Sequence, residues 1–345
     1  MHFVVILRKL QKIQAYHLNC NPTDEKGEKS NMLISIVIPV FNEKENIQPL
    51  VAEIGKTAFS LRKKGMQTEL ILVDDGSTDG TFKEIQRLKV QSPNIRAIRF
   101  RRNFGQTAAF DAGFAQAKGE VVITMDGDLQ NDPADIPLLL DKLNEGYDVV
   151  SGWRFERKDA AFSKKLPSLF SNYLARSLTG LKLHDFGCSL KAYRREALKD
   201  LRLFGEMHRF VPAILFTKGF RIAEVKVRHR PRKFGKTKYN FTRLLKGFLD
   251  LLYIKFWSSF STRPLHLFGL MGFSMLFVSG LIAAYKFLAL VFFSQPIEVT
   301  PALLLSVLLA ILGLLFIMFG FLGEVQVRTY YNTSKEHEYE IERKI

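Results

Sequence analysis

Residues 33–41, LISIVIPVF, are apolar almost without a break, and no alternation marks one side as wet. Such a run predicts a β-strand buried on both faces. The stretch after it, NEKENIQPLVAEIGKTAFSLRKK, predicts a helix opened by Asn42. ELILVDDGSTDGTFKEIQRL repeats the design, with a strand over 69–73, a turn rich in Asp, Gly and Ser, and a helix. IRAIRF is a third short strand. QTAAFDAGFAQAKG is a helix that stops at Gly119, and EVVITM is a fourth strand. PADIPLLLDKLNEG and YDVVSGW continue the alternation as helix and strand. Strands and helices that alternate over short connections predict an α/β fold: an open, mostly parallel sheet with helices on both faces. Ligands of such sheets bind at the carboxyl ends of the strands.

Beyond residue 154 the pattern changes. RFERKDAAFSKKLPSLFSNYLARSL reads as a basic loop and an amphipathic helix. Positions 241, 244, 245, 248, 249, 252 and 256 are apolar at helical spacing, with Arg243, Lys246 and Asp250 on another side. That pattern reads as a helix lying in a membrane interface and leading into the first span; an ordinary core-facing helix is the alternative. Residues 265–285 and 301–323 then contain no Asp, Glu, Lys or Arg. A bilayer core of ~30 Å needs roughly 20 helical residues, so each stretch is long enough to span it. The link SQPIEVTP makes the pair a hairpin. Lys236, Lys238, Arg243, Lys246, Lys255 and Arg263 precede the first span, and Arg328, Lys335, Arg343 and Lys344 follow the second. The positive-inside rule therefore places both ends in the cytoplasm. The expected divisions are an extension at 1–31, an α/β domain at 32–235, juxtamembrane amphipathic helices at 236–263, two spans within 264–325, and a tail at 326–345. The extension carries an apolar run with basic residues after it, the wrong order for a secretory signal. It is open to three readings: a mobile arm, a surface-lying helix, or an artefact of start-site choice.

The 345 residues carry a formal net charge of +16. Such a surplus suits nucleic acid, an anionic membrane surface or phosphorylated substrates. With two spans in the chain, membrane and phosphates are the expected partners and nucleic acid is not. Cys20 and Cys188 stand far apart, so no disulfide framework or zinc knuckle is indicated.

The chemistry collects at the predicted strand ends: Asn42 and Glu43, Asp74 and Asp75, Asp126 and Asp128. Asp126-Gly127-Asp128 behind a buried strand suits a hard divalent cation, Mg²⁺ or Mn²⁺, with Gln130 as a neutral oxygen ligand. The competing use of acids here is to cap the following helix, for which Asp132 and Asp135 are better placed. Asp74 and Asp75 suit a base N–H or ribose hydroxyls; a receiver-type phosphoacceptor pocket would also use paired acids. In RHRPRKFGKTKY, Gly235 and Thr237 suit a loop that hugs phosphate, and the basic run also suits anionic lipid.

ISIVIPVFNEKENI, LILVDDGSTDGT, RNFGQTAAFDAGFAQAKGEVVITMDGDLQNDP, DFGCSLKAYRR and RPRKFGKTKY, in that order, resemble the family 2 glycosyltransferases of GT-A fold. More narrowly the chain is similar to the polyisoprenyl-phosphate glycosyltransferases, the dolichol-phosphate mannosyltransferase and bacterial GtrB-like group, over roughly residues 33–330. The resemblance implies that Pro39, Phe41, Glu43 and Asp75, with Asp74 nearby, surround the nucleotide. It implies that Asp126, Asp128 and Gln130 hold the metal and donor diphosphate, and that Arg230, Arg232 and Lys238 meet phosphates. Asp185 falls near the reacting centre, and Arg154, Lys164, Lys165 and Ser168 fall where acceptor-phosphate contacts are expected. Thr237 stands where many relatives carry Ser. The implied reaction moves a hexose, with inversion, from a nucleotide sugar to a polyprenyl phosphate; UDP-glucose is the first expectation and GDP-mannose the second. The implied setting is the inner membrane, and the implied assembly a homo-oligomer, a tetramer by resemblance. A processive polysaccharide synthase would carry Gln-x-x-Arg-Trp, but neither Trp153 nor Trp257 follows an Arg. A non-catalytic membrane scaffold of the same fold is the other alternative. The phosphate nucleophile has a second pKa of about 6, so it needs no strong base, and Asp185 is expected to position rather than deprotonate.

Overall fold

A computed structural model describes residues 32–92, 94–155, 172–173, 175–199, 201–231, 263–293 and 300–334, together with positions 249, 252, 255, 256 and 260. Strand β1 (Leu33–Val40) is buried along almost its whole length, as its unbroken apolar run requires. It lies beside β2 (Gln67–Asp74), and β3 (Ile95–Arg99) follows outward. On the other side of β1 come β4 (Val121–Thr124), β6 (Lys191–Arg194), β5 (Val149–Arg154) and β7 (Ile222–Val227). The seven-stranded order is β3-β2-β1-β4-β6-β5-β7. Neighbours pair in parallel except at β6, which runs antiparallel to both β4 and β5.

The helices follow the predicted alternation: α1 (Lys44–Lys63), α2 (Thr81–Gln91), α3 (Gln106–Gln116), α4 (Ile136–Asn144), α5 (Arg195–Leu198) and α6 (Val211–Thr217). Among the described residues an apolar core forms on each face of the sheet, and a third, smaller cluster gathers around Leu183, Phe186 and Phe210. Ile36, Ile38, Leu50, Ile85 and Leu139 belong to one, and Val37, Val73, Phe110, Val122 and Leu215 to the other. Val37 and Ile38 are neighbours on β1 yet lie in opposite cores, which is what a strand without alternation encodes.

Several local expectations are corrected. Asn42 does not cap α1. It adopts a left-handed backbone (φ 55°) and ties two strand-end turns together, its N–H donating to Ser77 Oγ (2.9 Å) and its Oδ1 accepting from Thr78 N–H (2.9 Å). Asn tolerates that conformation better than most residues. Helix α3 ends at Gln116, before Gly119. Gly119 has a different reason to be glycine: a Cβ there would stand 2.6 Å from the Ser35 backbone nitrogen of β1. Asp132 caps the turn at Pro133–Asp135 by accepting from Ala134 N–H, as expected. Asp135 instead binds Arg228, taking its backbone N–H at 2.7 Å and its Nε at 2.8 Å.

Helices α7 (Pro264–Phe293) and α8 (Pro301–Ser334) are both long and apolar enough to cross a membrane. Helix α8 continues well past residue 325. The two pack on each other through small residues. A Cβ on Gly272 would stand 2.5 Å from the Gly313 carbonyl oxygen, and one on Gly313 would stand 2.8 Å from that of Gly272. Ser279 and Ser306 exchange hydroxyl-to-carbonyl hydrogen bonds at 2.8 and 3.0 Å. Large apolar side chains such as Phe273, Phe277, Leu281, Phe319 and Leu322 face outward, the reverse of a soluble core helix.

Candidate active site

The carboxyl ends of β1, β2 and β4 lie side by side, and the acids of the sequence pattern stand on them. Asp74 closes β2 and is fully buried; its Oδ1 accepts from Ser77 N–H (3.0 Å), and Arg99 lies 3.4 Å from Oδ2. Asp75 is also buried. Its Oδ1 accepts from Phe104 N–H (2.7 Å), and its Oδ2 from Gly105 N–H (2.9 Å) and Asn103 Nδ2 (2.8 Å). Asp75 therefore anchors the Asn-Phe-Gly turn that launches α3, a job the sequence pattern did not reveal. Pro39 is buried at the end of β1; Phe41 and Glu43 are half-buried in the turn beyond it. Glu43 N–H donates to Thr81 Oγ1 (3.0 Å), a second tie between the turns after β1 and β2.

Two residues past β4, the Asp126 Oδ1 accepts from Gln106 Nε2 at 2.6 Å. The Ser189 hydroxyl lies near this carboxylate and donates to Asn131 Oδ1 at 2.9 Å. Asp128 is buried, and its Oδ1 accepts from Gln130 N–H (3.1 Å) across Leu129, whose φ of 63° curls the turn back on itself. Burial, and then the charge of Asp128, raise the Asp126 carboxyl above its ordinary pKa, against the opposing pull of Ser189, Arg154 and Lys191. Two acids that disfavour one another's charge have the donor chemistry a divalent cation would satisfy. Among the described residues no group of three or more His, Cys, Asp or Glu is placed to hold a metal. A two-carboxylate site fits Mg²⁺ or Mn²⁺ if water completes the shell, with phosphate oxygens replacing some of that water beside a diphosphate. The Gln130 amide nitrogen faces the 229–230 backbone, 3.4 Å from the Arg230 carbonyl oxygen.

At the end of β5, Arg154 and Asp185 form a two-point ion pair, Nε to Oδ2 at 2.7 Å and Nη2 to Oδ1 at 2.9 Å. Gly187 N–H adds a third donor to Oδ1 at 3.0 Å. Burial works against the Arg154 charge, but the Asp185 carboxylate more than offsets this and raises its pKa. Arg230 is engaged as well, by Glu53 of α1 (2.8 Å) and by Asp132 (2.7 Å). The structure thus places Pro39, Phe41, Glu43, Asp74, Asp75, Asp126, Asp128, Gln130, Arg154, Asp185 and Arg230 around one end of the sheet. Lys164, Lys165, Ser168, Arg232 and Lys238 lie outside the described residues, as do most of the expected interfacial helix and the 1–31 extension.

Sequence reading missed Gln106, Ser189 and Lys191. Lys191 sits in the middle of the sheet, 2% exposed, with burial lowering its pKa to about 8 against the pull of Cys188, Asp185 and Asp126. The available signal was a lysine within the otherwise apolar CSLKAY.

Comparison with known proteins agrees with this geometry. Residues 35–202 match the sequence profile of glycosyl transferase family 2. The chain is 40% identical over 310 residues to the dodecaprenyl-phosphate galacturonate synthase of Rhizobium johnstonii, covering 89% of this chain and 91% of the relative. It is 36% identical over 315 residues to the undecaprenyl-phosphate 4-deoxy-4-formamido-L-arabinose transferase of Pectobacterium atrosepticum, covering 90% and 93%. The fold is shared with glucosyl-3-phosphoglycerate synthase from Mycobacterium tuberculosis, solved with Mn²⁺, UDP-glucose and phosphoglyceric acid. That match has 21% identity and a TM-score of 0.50, over 69% of this chain and 85% of the other. The chain belongs to the family 2 glycosyltransferases of GT-A fold and groups there with the polyprenyl-phosphate sugar transferases.

Proposed function

We propose that the protein transfers a sugar from a nucleoside diphosphate to the phosphate of a polyprenol at the cytoplasmic face of the inner membrane, with inversion at the sugar carbon. The observation that carries this reading is the juxtaposition at one sheet end of the Asp126–Asp128 pair and the buried Arg154–Asp185 pair, in a chain with two bilayer-length apolar helices. A divalent cation held by Asp126 and Asp128, with Gln130 as a further ligand, would neutralise the departing diphosphate.

The chain's own residues do the rest. Asp75 and Asn42 fix the turns that border the nucleotide, and Pro39, Phe41, Glu43 and Asp74 line it. Gln106 orients Asp126 from the start of α3. A lipid phosphate with a second pKa of about 6 arrives already ionised, so the site needs positive charge and alignment more than a base. Arg154 supplies that charge, and Asp185 holds its guanidinium flat and immobile. Lys164, Lys165 and Ser168 add acceptor contacts, and Arg232 and Lys238 join Arg230 on the donor phosphates.

The donor we favour is UDP-galacturonate rather than UDP-glucose, because the relative at 40% identity is named for galacturonate and the relatives at 34–36% for a formamido-arabinose. A donor panel of UDP-galacturonate, UDP-4-deoxy-4-formamido-L-arabinose, UDP-glucose and GDP-mannose, offered with undecaprenyl phosphate, tests the choice. The product mass names the sugar. Product from UDP-glucose alone would restore the first expectation.

A further inference from the structure

The strand that breaks the parallel order, β6, carries a lysine into the interior of the sheet. Lys191 stands in register with Thr124 of β4 on one side and Ser151 of β5 on the other, so three polar side chains form a row across one face. All three are buried, at 2%, 3% and 0% exposure. The Lys191 ammonium donates to the Phe186 carbonyl oxygen (3.2 Å), and the Ser151 hydroxyl has no hydrogen-bond partner among the described residues. Burying an ammonium costs several kcal/mol unless something nearby needs its charge. Here something does. Asp185 and Asp126 both act on it electrostatically, as does Arg154 with the opposite sign.

The row lies directly beneath the site. Asp126 is two residues beyond Thr124, just past the end of β4. Phe186, whose carbonyl takes the ammonium, follows Asp185. Ser189 sits two residues before Lys191; its hydroxyl donates to Asn131 Oδ1 at 2.9 Å, and its carbonyl is held by Thr124 Oγ1 at 2.8 Å. Asp126, Asp128 and Asp185 outnumber Arg154 and Lys191 by one charge, before a diphosphate and a second phosphate bring more.

We propose that Lys191 is a positioning residue of the transfer site: a fixed positive charge under the acid-tipped strand end that pins the 185–189 turn against Asp126 and offsets the charge of the two anionic substrates. This rests on the sugar-transfer reading above. A cation in that place must also repel any divalent ion bound at Asp126 and Asp128. Removing it therefore tightens metal binding while slowing transfer, a combination that loss of packing does not produce.

The test uses the full chain in detergent micelles at pH 7, as wild type and as Lys191→Gln, Lys191→Met and Lys191→Arg. Mn²⁺ affinity is read without substrates, by the electron paramagnetic resonance of free Mn²⁺, and steady-state kinetics are measured separately. Loss of one nearby charge in a poorly hydrated site gives Lys191→Gln and Lys191→Met about tenfold tighter Mn²⁺ binding. Their kcat falls by about tenfold or more, with donor KM changed by less than about threefold, the mark of a contribution realised in the transition state. Lys191→Arg keeps the charge and stays near wild type in Mn²⁺ affinity. Equal Mn²⁺ affinity in wild type and Lys191→Gln overturns the proposal, whatever the turnover. So does equal loss of kcat in all three variants, which is a packing effect. Failure of the metal assignment looks different: the wild type itself binds no Mn²⁺, and the kcat comparison of Gln against Arg then decides the role of Lys191.

Discussion

Arg154 and Asp185 are locked together by two parallel hydrogen bonds of 2.9 and 2.7 Å, with Gly187 N–H on the same carboxylate. A carboxylate held this way is a poor proton acceptor. Asp185→Asn therefore lowers kcat through misplacement of the guanidinium, by about 10²-fold, and leaves the acidic limb of the pH–rate profile where it was. A lost acidic limb would make Asp185 the base. Asp185→Ala leaves a buried, unpaired guanidinium and costs roughly 3–5 kcal/mol of stability, readable by thermal denaturation. Arg154→Lys does not restore activity, because an ammonium cannot make the two-point contact.

Asp75 accepts three hydrogen bonds from residues 103–105. Asp75→Ala takes the carboxylate partner from the Phe104 and Gly105 N–H groups and loosens the start of α3, from which Gln106 reaches Asp126. The expected result is a stability loss of about 1–3 kcal/mol in all, with a rise in donor KM. Wild-type kinetics and melting temperature in this variant would show the turn to be held by other contacts.

The Asp126 carboxyl is raised by burial and by Asp128. An acid whose folded pKa exceeds its unfolded value weakens the fold once it ionises. The penalty begins as pH climbs through the ordinary carboxylate range near ~4 and is complete above the folded pKa. In EDTA, Asp126→Asn is therefore more stable than wild type at pH 7.5, and the gap closes as pH falls into the ordinary carboxylate range near ~4. Mn²⁺ raises the wild-type melting temperature at pH 7.5 and does not raise that of Asp126→Asn. A gap that widens on acidification would reverse the sign of this account.

Gly272 and Gly313 let α7 and α8 touch backbone to backbone. Gly272→Leu forces the helices apart and breaks the Ser279–Ser306 exchange. A loss of about 1–3 kcal/mol is expected from overpacking at such a contact. It would be measured as a lower melting temperature in detergent, and an unchanged value would mean that the crossing is not tight.

Much of this architecture was legible because local and global signals agree. LISIVIPV, LILV and VVIT are runs apolar almost throughout, without alternation, that a two-sided core satisfies, and each ends in a turn with the acids. The hairpin was equally plain, since 265–285 holds no charged residue. Strand β6 was hidden because it is four residues long with Lys191 and Arg194 at its ends, and its antiparallel insertion between β4 and β5 is a long-range choice that periodicity does not encode. Asn42 was misread as a cap because Asn suits both a cap and a left-handed turn. The engagement of Arg230 by Glu53, 177 positions away, is likewise invisible to spacing.

The central claim is that Asp126 and Asp128 grip the cation that carries the donor diphosphate while the sugar leaves for a lipid phosphate. Mass spectrometry of the lipid after incubation of purified enzyme with undecaprenyl phosphate and UDP-galacturonate measures this most directly. A hexuronosyl monophosphate lipid that forms with Mn²⁺, disappears in EDTA and is absent for Asp126→Asn and Asp128→Asn is the predicted result. The same lipid formed at wild-type rate by either variant would contradict it.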